Sequence, residues 1–394
     1  MMFAIYASLM CLALGLFTSM TFLALTHIFI GVPCIYFLAK TDFKKWSLSQ
    51  WFLLAMLVAV ILSVLVNQDI AAAGYAPLTK AKYYLIALLS VAPFSFYFRE
   101  LEGKPDHDKK IKWLLWAAIG MATIASLSGM SGVFFGYNIL KLKAGFVYRN
   151  GGLAGMLMNY AHNLAMFQVL LTGLLIYWKD VEKYVSRNFL IVTWVINFLG
   201  LYLTYTRGTW LAFLVALPFF LIRKNVKVFV VCSLALVVIG FGAYKFAGQS
   251  MVRPQSDIER ISQWKAAYAG FKERPVFGLG YLNFEKMATD LKKKYNIEAQ
   301  NFGGHAHSNY FEMLASTGAV GFLFFMLWQI AWFVEMVKRN DLVGKIGLPF
   351  IVAFMIGGLT QATFTLGANL FFIMSVYALT SVDYKILKKS AGDF

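Results

Sequence analysis

Residues 1–39 read MMFAIYASLMCLALGLFTSMTFLALTHIFIGVPCIYFLA, without a single Lys, Arg, Asp or Glu. A cleaved signal peptide has a cationic start and an apolar run of about 7–15 residues. This stretch is apolar for too long. The short turn Thr18-Ser19-Met20-Thr21 divides it into two pieces, each near the ~20 residues that cross a bilayer. The chain is therefore to be divided into spans rather than into soluble domains.

Composition extends that reading to the whole protein. The 394 residues are 60% hydrophobic and 17% aromatic, with only 14% charged. A soluble domain carries about 25% charge. Taken in order, the apolar runs predict about twelve helices, over 2–18, 21–39, 49–66, 82–98, 113–131, 160–178, 188–206, 209–222, 228–246, 319–337, 346–364 and 370–386. The expected fold is an all-α polytopic membrane protein of about 12 transmembrane helices, with one helical loop between the ninth and tenth. Three regions follow: 1–246 with nine spans, 247–318 as the loop, and 319–394 with three spans and a tail. Cys11, Cys34 and Cys232 all lie inside apolar runs, so no disulfide framework is implied.

The net charge of +17 invites a nucleic-acid reading. Its distribution argues for topology instead. KTDFKKW, RELEGKPDHDKKIK, KDVEKYVSR, RKNVK, KRNDLVGK and the tail KILKKSAGDF each carry at least three Lys or Arg and alternate with short segments poor in both. By the positive-inside rule both termini are cytoplasmic and the long loop is external, since long loops escape the rule. No nucleic-acid partner is expected.

That loop has order written into it. Ser256-Asp257-Ile258-Glu259 fits a capping box, followed by Ile258, Ile261, Trp264, Tyr268 and Phe271 at helical spacing. Pro275, Gly278 and Gly280 then break the helix. A second amphipathic stretch runs from Phe284 through Met287 and Leu291 to Tyr295, and a third short helix from Ser308 to Gly318. Their apolar faces predict a loop lying against the membrane surface, over the bundle.

Four features bear chemistry. His305 and His307 stand two apart among only five histidines in the chain. Such a pair suits interfacial hydrogen bonding, or zinc, whose ligands would share one face of an extended segment. No cysteine is near and Glu312 is the nearest acid. It also suits general-base work, since imidazole titrates near pH 6.5. Arg207, in TYTRGTWLAF, lies where two apolar runs meet, among Thr204, Thr206 and Thr209. It is either a snorkelling anchor or a fork for phosphate. Arg260 lies one turn before Trp264 and is either a solvated charge paired with Asp257 or Glu259, or a second cation. In RNGGLAGMLMNYAHNLAM, Arg149, Tyr160 and His162 lie near the outer end of a span, with glycines that suit close packing.

Absences matter too. There is no GxxxxGK[ST] loop, so chemistry driven by cytosolic ATP is not expected. The first external turn has no Asp or Glu, where metal-dependent multi-span sugar transferases hold an acid. A secondary transporter of twelve spans is the main non-enzyme rival, but it would carry ionisable residues at mid-membrane in matched halves.

HAHSNYFEMLASTGAVGF resembles the H-x-H-N-x-Y-L…L…G-x-x-G signature of the bacterial O-antigen ligase and O-antigen polymerase superfamily. TYTRGTWLAF is similar to its T-x-[TS]-R-G-x-W-L-A segment, and ERISQWKAAYAGFKERPVFGLGYLNF to its R…W…P-x-x-G-x-G…F segment. The three occur in family order and cover roughly residues 200–325. One position departs: the asparagine usual after the second histidine is Ser308 here, with Asn309 one place later.

The resemblance implies a metal-independent, inverting glycosyltransferase without cofactors, in the bacterial inner membrane. It would move an O-antigen glycan from undecaprenyl diphosphate to a hydroxyl of the lipid A core, at a periplasmic active site. A polymerase joining lipid-linked repeat units is the neighbouring alternative, followed by a transferase acting on protein and then the transporter. His307 aligns with the family's catalytic histidine, and Arg207 and Arg260 with its two diphosphate-binding arginines. His305, Arg149, Trp264 and Asn309 are supporting candidates.

Overall fold

The structure is a computed structural model describing residues 1–72, 74–153, 157–251, 254–299 and 303–383. The expected cytoplasmic tail 385–394, and the end of the last expected span, lie outside the described residues. Within them the chain forms fourteen α-helices and a single two-stranded hairpin, Tyr137–Asn138 with Lys143–Ala144. It is an all-α polytopic membrane protein.

The helices are α1 Met2–Gly15, α2 Met20–Leu38, α3 Leu48–Val66, α4 Leu78–Leu101, α5 His107–Phe135, α6 Leu157–Ile176, α7 Arg187–Tyr202, α8 Arg207–Ala216, α9 Val226–Met251, α10 Pro254–Glu273, α11 Phe284–Lys294, α12 Asn309–Lys338, α13 Leu342–Thr360 and α14 Gly367–Thr380. Each expected span has one counterpart among α1–α9 and α12–α14. Six are long and apolar enough to cross a membrane, and five more are shorter apolar helices. The remaining one, α6, is an interior helix. It buries His162, Asn163 and Gln168, and Gln168 Nε2 donates to the Trp194 carbonyl oxygen at 3.1 Å.

Lipid tails are as apolar as leucine, so such a bundle coheres by close packing and interhelical hydrogen bonds. Trp328 and Trp332 on α12, wholly buried, stack at 5.4 Å between centroids, and Tyr377 of α14 meets both edge-on. Polar staples add to this, as where Asn369 Nδ2 donates to Asn163 Oδ1 at 2.7 Å.

Helix α12 has 30 residues, roughly 45 Å at 1.5 Å per residue, against a ~30 Å hydrocarbon core. Gly318 divides it, with φ 64° and ψ −165°. The short helix expected to end at Gly318 is thus the piece before this kink, and the membrane span follows it. The broken backbone is not left unpaired. Ala319 N donates to Pro275 O at 2.8 Å, Val320 N to Val276 O at 3.2 Å, and Leu279 N to Ala315 O at 2.8 Å. Here the PVFGLG segment lies flat on the kink. A Cβ on Gly278 (φ 66°) would stand 2.5 Å from Gly318 N, so both glycines are required by the crossing.

Two expectations for the loop need correction. Ser256 does not cap α10, because the helix is already under way from Pro254, a residue well suited to a first turn. Nor does the whole apolar stripe of α10 face the bundle, although Trp264 of it stacks on α12. Ile258, Ile261 and Tyr268 are about half exposed, while Gln263, Ala266, Ala267 and Gly270 are buried. Small side chains let α10 sit close on α11 and α12, and Ile258, Ile261 and Tyr268 are left outward, where a bilayer edge would accept them.

Candidate active site

The α10–α11 loop is tied down onto one end of the bundle. Arg274 binds Asp69, and its Nη1 donates to Asn67 Oδ1 at 3.2 Å. Tyr281 and Tyr84, both buried, share a 2.7 Å hydrogen bond. Lys292 of α11 is completely buried and pairs with Glu259 of α10 at 3.1 Å. The Gln263 amide reaches Gly303 O at 2.6 Å, so α10 also holds the start of the histidine segment.

Arg207 opens α8. The chain leaves α7, passes through Tyr205 in the left-handed region (φ 49°) and re-enters helix at Arg207. The threonine hydroxyls are spent locally: Thr204 donates to Leu201 O at 2.7 Å, Thr206 to Thr204 O at 3.2 Å, and Thr209 to Thr206 O at 2.7 Å. They build the turn rather than a ligand notch. Gly208 allows the turn to rest against the end of α13, since a Cβ there would collide with Thr360. Arg207 Nη2 donates to Asp257 Oδ1 at 3.0 Å, and both side chains keep substantial solvent exposure.

Arg260 lies one turn along α10 from Asp257 and has no hydrogen bond or ion pair among the described residues. Burial first, and the Arg207 guanidinium second, pull its pKa below the usual arginine value, with Asp257 opposing. Two guanidinium groups close enough to repel each other are thus held on adjoining elements. Such an arrangement is poised for a doubly anionic group.

His307 completes the cluster. Its backbone takes the left-handed conformation (φ 50°), which turns the chain sharply into α12. The Glu312 carboxylate fixes this bend by accepting from Ala306 N at 2.9 Å. His307 is lowered below the ordinary histidine pKa, chiefly by burial, then by His305 and Arg260, while its hydrogen bond to the Gln361 amide oxygen and the charge of Glu259 act the other way. His305 lies beside it, ring centroids 4.3 Å apart. The Gln361 amide bridges the pair, its Oε1 2.9 Å from His307 Nδ1 and its Nε2 3.1 Å from His305 Nε2.

The supporting candidates separate. Arg149 Nη2 donates to Tyr205 O at 3.1 Å, bracing the turn before Arg207. Trp264 stacks on Phe311 at 5.3 Å and 12°, fixing α10 on the first turn of α12. Asn309 does not reach His307; its amide donates to Thr363 Oγ1 at 3.0 Å and accepts from Phe364 N at 2.8 Å. Tyr160 hydrogen-bonds Ser126 at 2.9 Å, and His162 Nδ1 binds the Met158 carbonyl at 2.9 Å, so both act in packing. Gln361 escaped the sequence reading, which took it into the expected span 346–364; α13 ends at Thr360 and leaves it in the polar run TQATFT before α14.

Among the described residues no group of three or more His, Cys, Asp or Glu could hold a metal ion. The neighbour that His305 and His307 share is an amide rather than a carboxylate.

Residues 192–326, from mid-α7 past the Gly318 kink, match the family model described as O-antigen ligase. Among curated proteins none matches the chain. The matched segment takes in Arg207, Arg260, His305 and His307, and the family's members are glycosyltransferase-type enzymes acting on lipid-linked glycans. Over that segment the chain is similar to the O-antigen ligase family, which supports the O-antigen ligase/polymerase superfamily.

Proposed function

We propose that the protein is a metal-independent, inverting O-antigen ligase. It transfers a glycan from undecaprenyl diphosphate to a hydroxyl of the lipid A core, at the periplasmic face of the inner membrane. The observation that carries this reading is that Arg260 of α10 lies within electrostatic reach both of Arg207, which opens α8, and of His307, just before α12.

The chemistry divides between them. A sugar hydroxyl is a weak nucleophile, so His307 takes its proton as the oxygen bonds to the anomeric carbon. The bond from that carbon to the diphosphate oxygen breaks on the opposite side, and the electron pair leaves with the diphosphate. Arg207 and Arg260 are already in place where that charge gathers, so little reorganisation is needed during reaction. One displacement inverts the anomeric centre. The donor's polyprenyl chain stays in the bilayer, which explains why the site lies at the end of a helix bundle.

The test is a reconstituted reaction with lipid-linked glycan and lipid A core. His307→Ala should lower turnover by about 10²–10⁴-fold. Unchanged transfer in that variant would dismiss His307 as the base. In cells, loss of a ligase leaves bare core with lipid-linked polymer accumulating. Core bearing a single repeat unit would instead identify a polymerase.

A further inference from the structure

Gln361 is 2% exposed and stands just beyond the last turn of α13, with extended backbone (φ −154°, ψ 146°). Its own N–H still closes the helix, donating to Gly357 O at 3.2 Å. The turn that follows is held by Asn309, through Thr363 Oγ1 and the Phe364 amide. The side chain therefore has little freedom. Its two ends meet two different histidines, His307 Nδ1 at 2.9 Å and His305 Nε2 at 3.1 Å.

A primary amide is chemically polar along its width: the oxygen only accepts and the nitrogen only donates. His307 must therefore carry its proton on Nδ1 to satisfy the oxygen. His305 must offer a lone pair at Nε2 to receive the amide N–H. A neutral imidazole has one proton between its two nitrogens, so a proton held on Nδ1 leaves Nε2 bare.

Building on the reading of His307 as base, we propose that Gln361 is a positioning residue that locks His307 in the Nδ1–H tautomer, leaving Nε2 to take the acceptor's proton. His305 is the second anchor of the amide. By accepting at Nε2 it keeps the amide from rotating end for end, a rotation that would place a donor against His307 Nδ1 and force the proton onto Nε2. The two histidines thus have unequal work, one reacting and one holding the amide that orients the first. The groups acting on His307 electrostatically are His305 from its own segment and Arg260 and Glu259 from α10, whereas α13 contributes only the neutral amide.

Two variants and two readouts test this. Gln361→Ala removes the lock, while Gln361→Glu can accept from both imidazoles and so preserves the Nδ1–H tautomer of His307. Nitrogen-15 NMR of histidine-labelled protein in bilayers, assigned by difference from His307→Ala, should show His307 protonated on Nδ1 in the wild type. Gln361→Ala should show a mixture of tautomers. Turnover in Gln361→Ala should fall about 10–100-fold with little change in the KM for donor. Gln361→Glu should restore most of that loss, with the acidic limb of the pH profile moved upward by the new negative charge. An Nε2–H tautomer in the wild type, or a tautomer and pH profile unmoved in Gln361→Ala, would overturn the proposal. The NMR arm does not depend on glycan transfer. If His307→Ala stays active while the tautomer responds to Gln361, the function fails and the lock stands.

Discussion

At the scale of single residues, the site divides labour between forks and a base. Arg207→Lys keeps the charge but loses the planar pair of donors that matches a phosphate. Turnover should fall by about 10²-fold or more in the reconstituted assay, with the protein still folded. The base has a pH signature. A proton acceptor must be neutral, and burial, His305 and Arg260 together hold His307 below the usual histidine value. Activity should therefore persist into mildly acidic buffer and fall only as the pH drops through that lowered pKa. Arg260→Gln removes one depressing charge, so its acidic limb should move to higher pH. A limb that stays fixed, or moves lower, would show that Arg260 does not act on His307.

Among elements, the sharpest constraint is the crossing of PVFGLG over α12. Gly318→Ala places a side chain at a positive φ and against the Val276 backbone, and strain of this kind costs about 1–3 kcal/mol. Thermal unfolding in detergent should register that loss, and transfer should fall with it because the histidine segment begins the same helix. Lys292 offers a separate check on the loop. Truncating one partner of a buried ion pair costs about 3–5 kcal/mol, because the other charge is stranded. Lys292→Ala should loosen α11 from α10, measured as faster backbone hydrogen exchange in α11, with the spans unaffected. The sequence made the two short helices and the Gly318 stop legible, because periodicity and breakers are local. It did not foretell which side of α10 packs inward. Ile258, Ile261 and Tyr268 are the larger apolar residues, but Ala266, Ala267 and Gly270 make the closer contact, and closeness decides packing at a helix crossing.

For the whole molecule, spans of bilayer length are legible because hydrocarbon thickness fixes them before any tertiary contact forms. Arg207, Arg260 and His307 were legible through local motifs. Gln361 was not, because it lies 54 residues beyond His307, and only the packing of α13 beside α12 and α8 brings it back. The orientation expected from Lys and Arg placement is open to a direct measurement. Cysteines introduced at exposed Lys293, in α11, and at exposed Lys183, between α6 and α7, should respond oppositely to a membrane-impermeant maleimide applied from the periplasm. Labelling at 293 and protection at 183 is the expected outcome, and the reverse would invert the topology.

The Arg207–Asp257 pair carries one more implication. Asp257 pairs with the Arg207 guanidinium, so on the proposed reading a diphosphate enters by anion exchange. Exchange runs both ways. After transfer the spent carrier lipid is still a diphosphate, and a site made only of cations would retain it. On that reading Asp257 is an internal competitor that reclaims Arg207 and helps to expel the product, trading donor affinity for turnover.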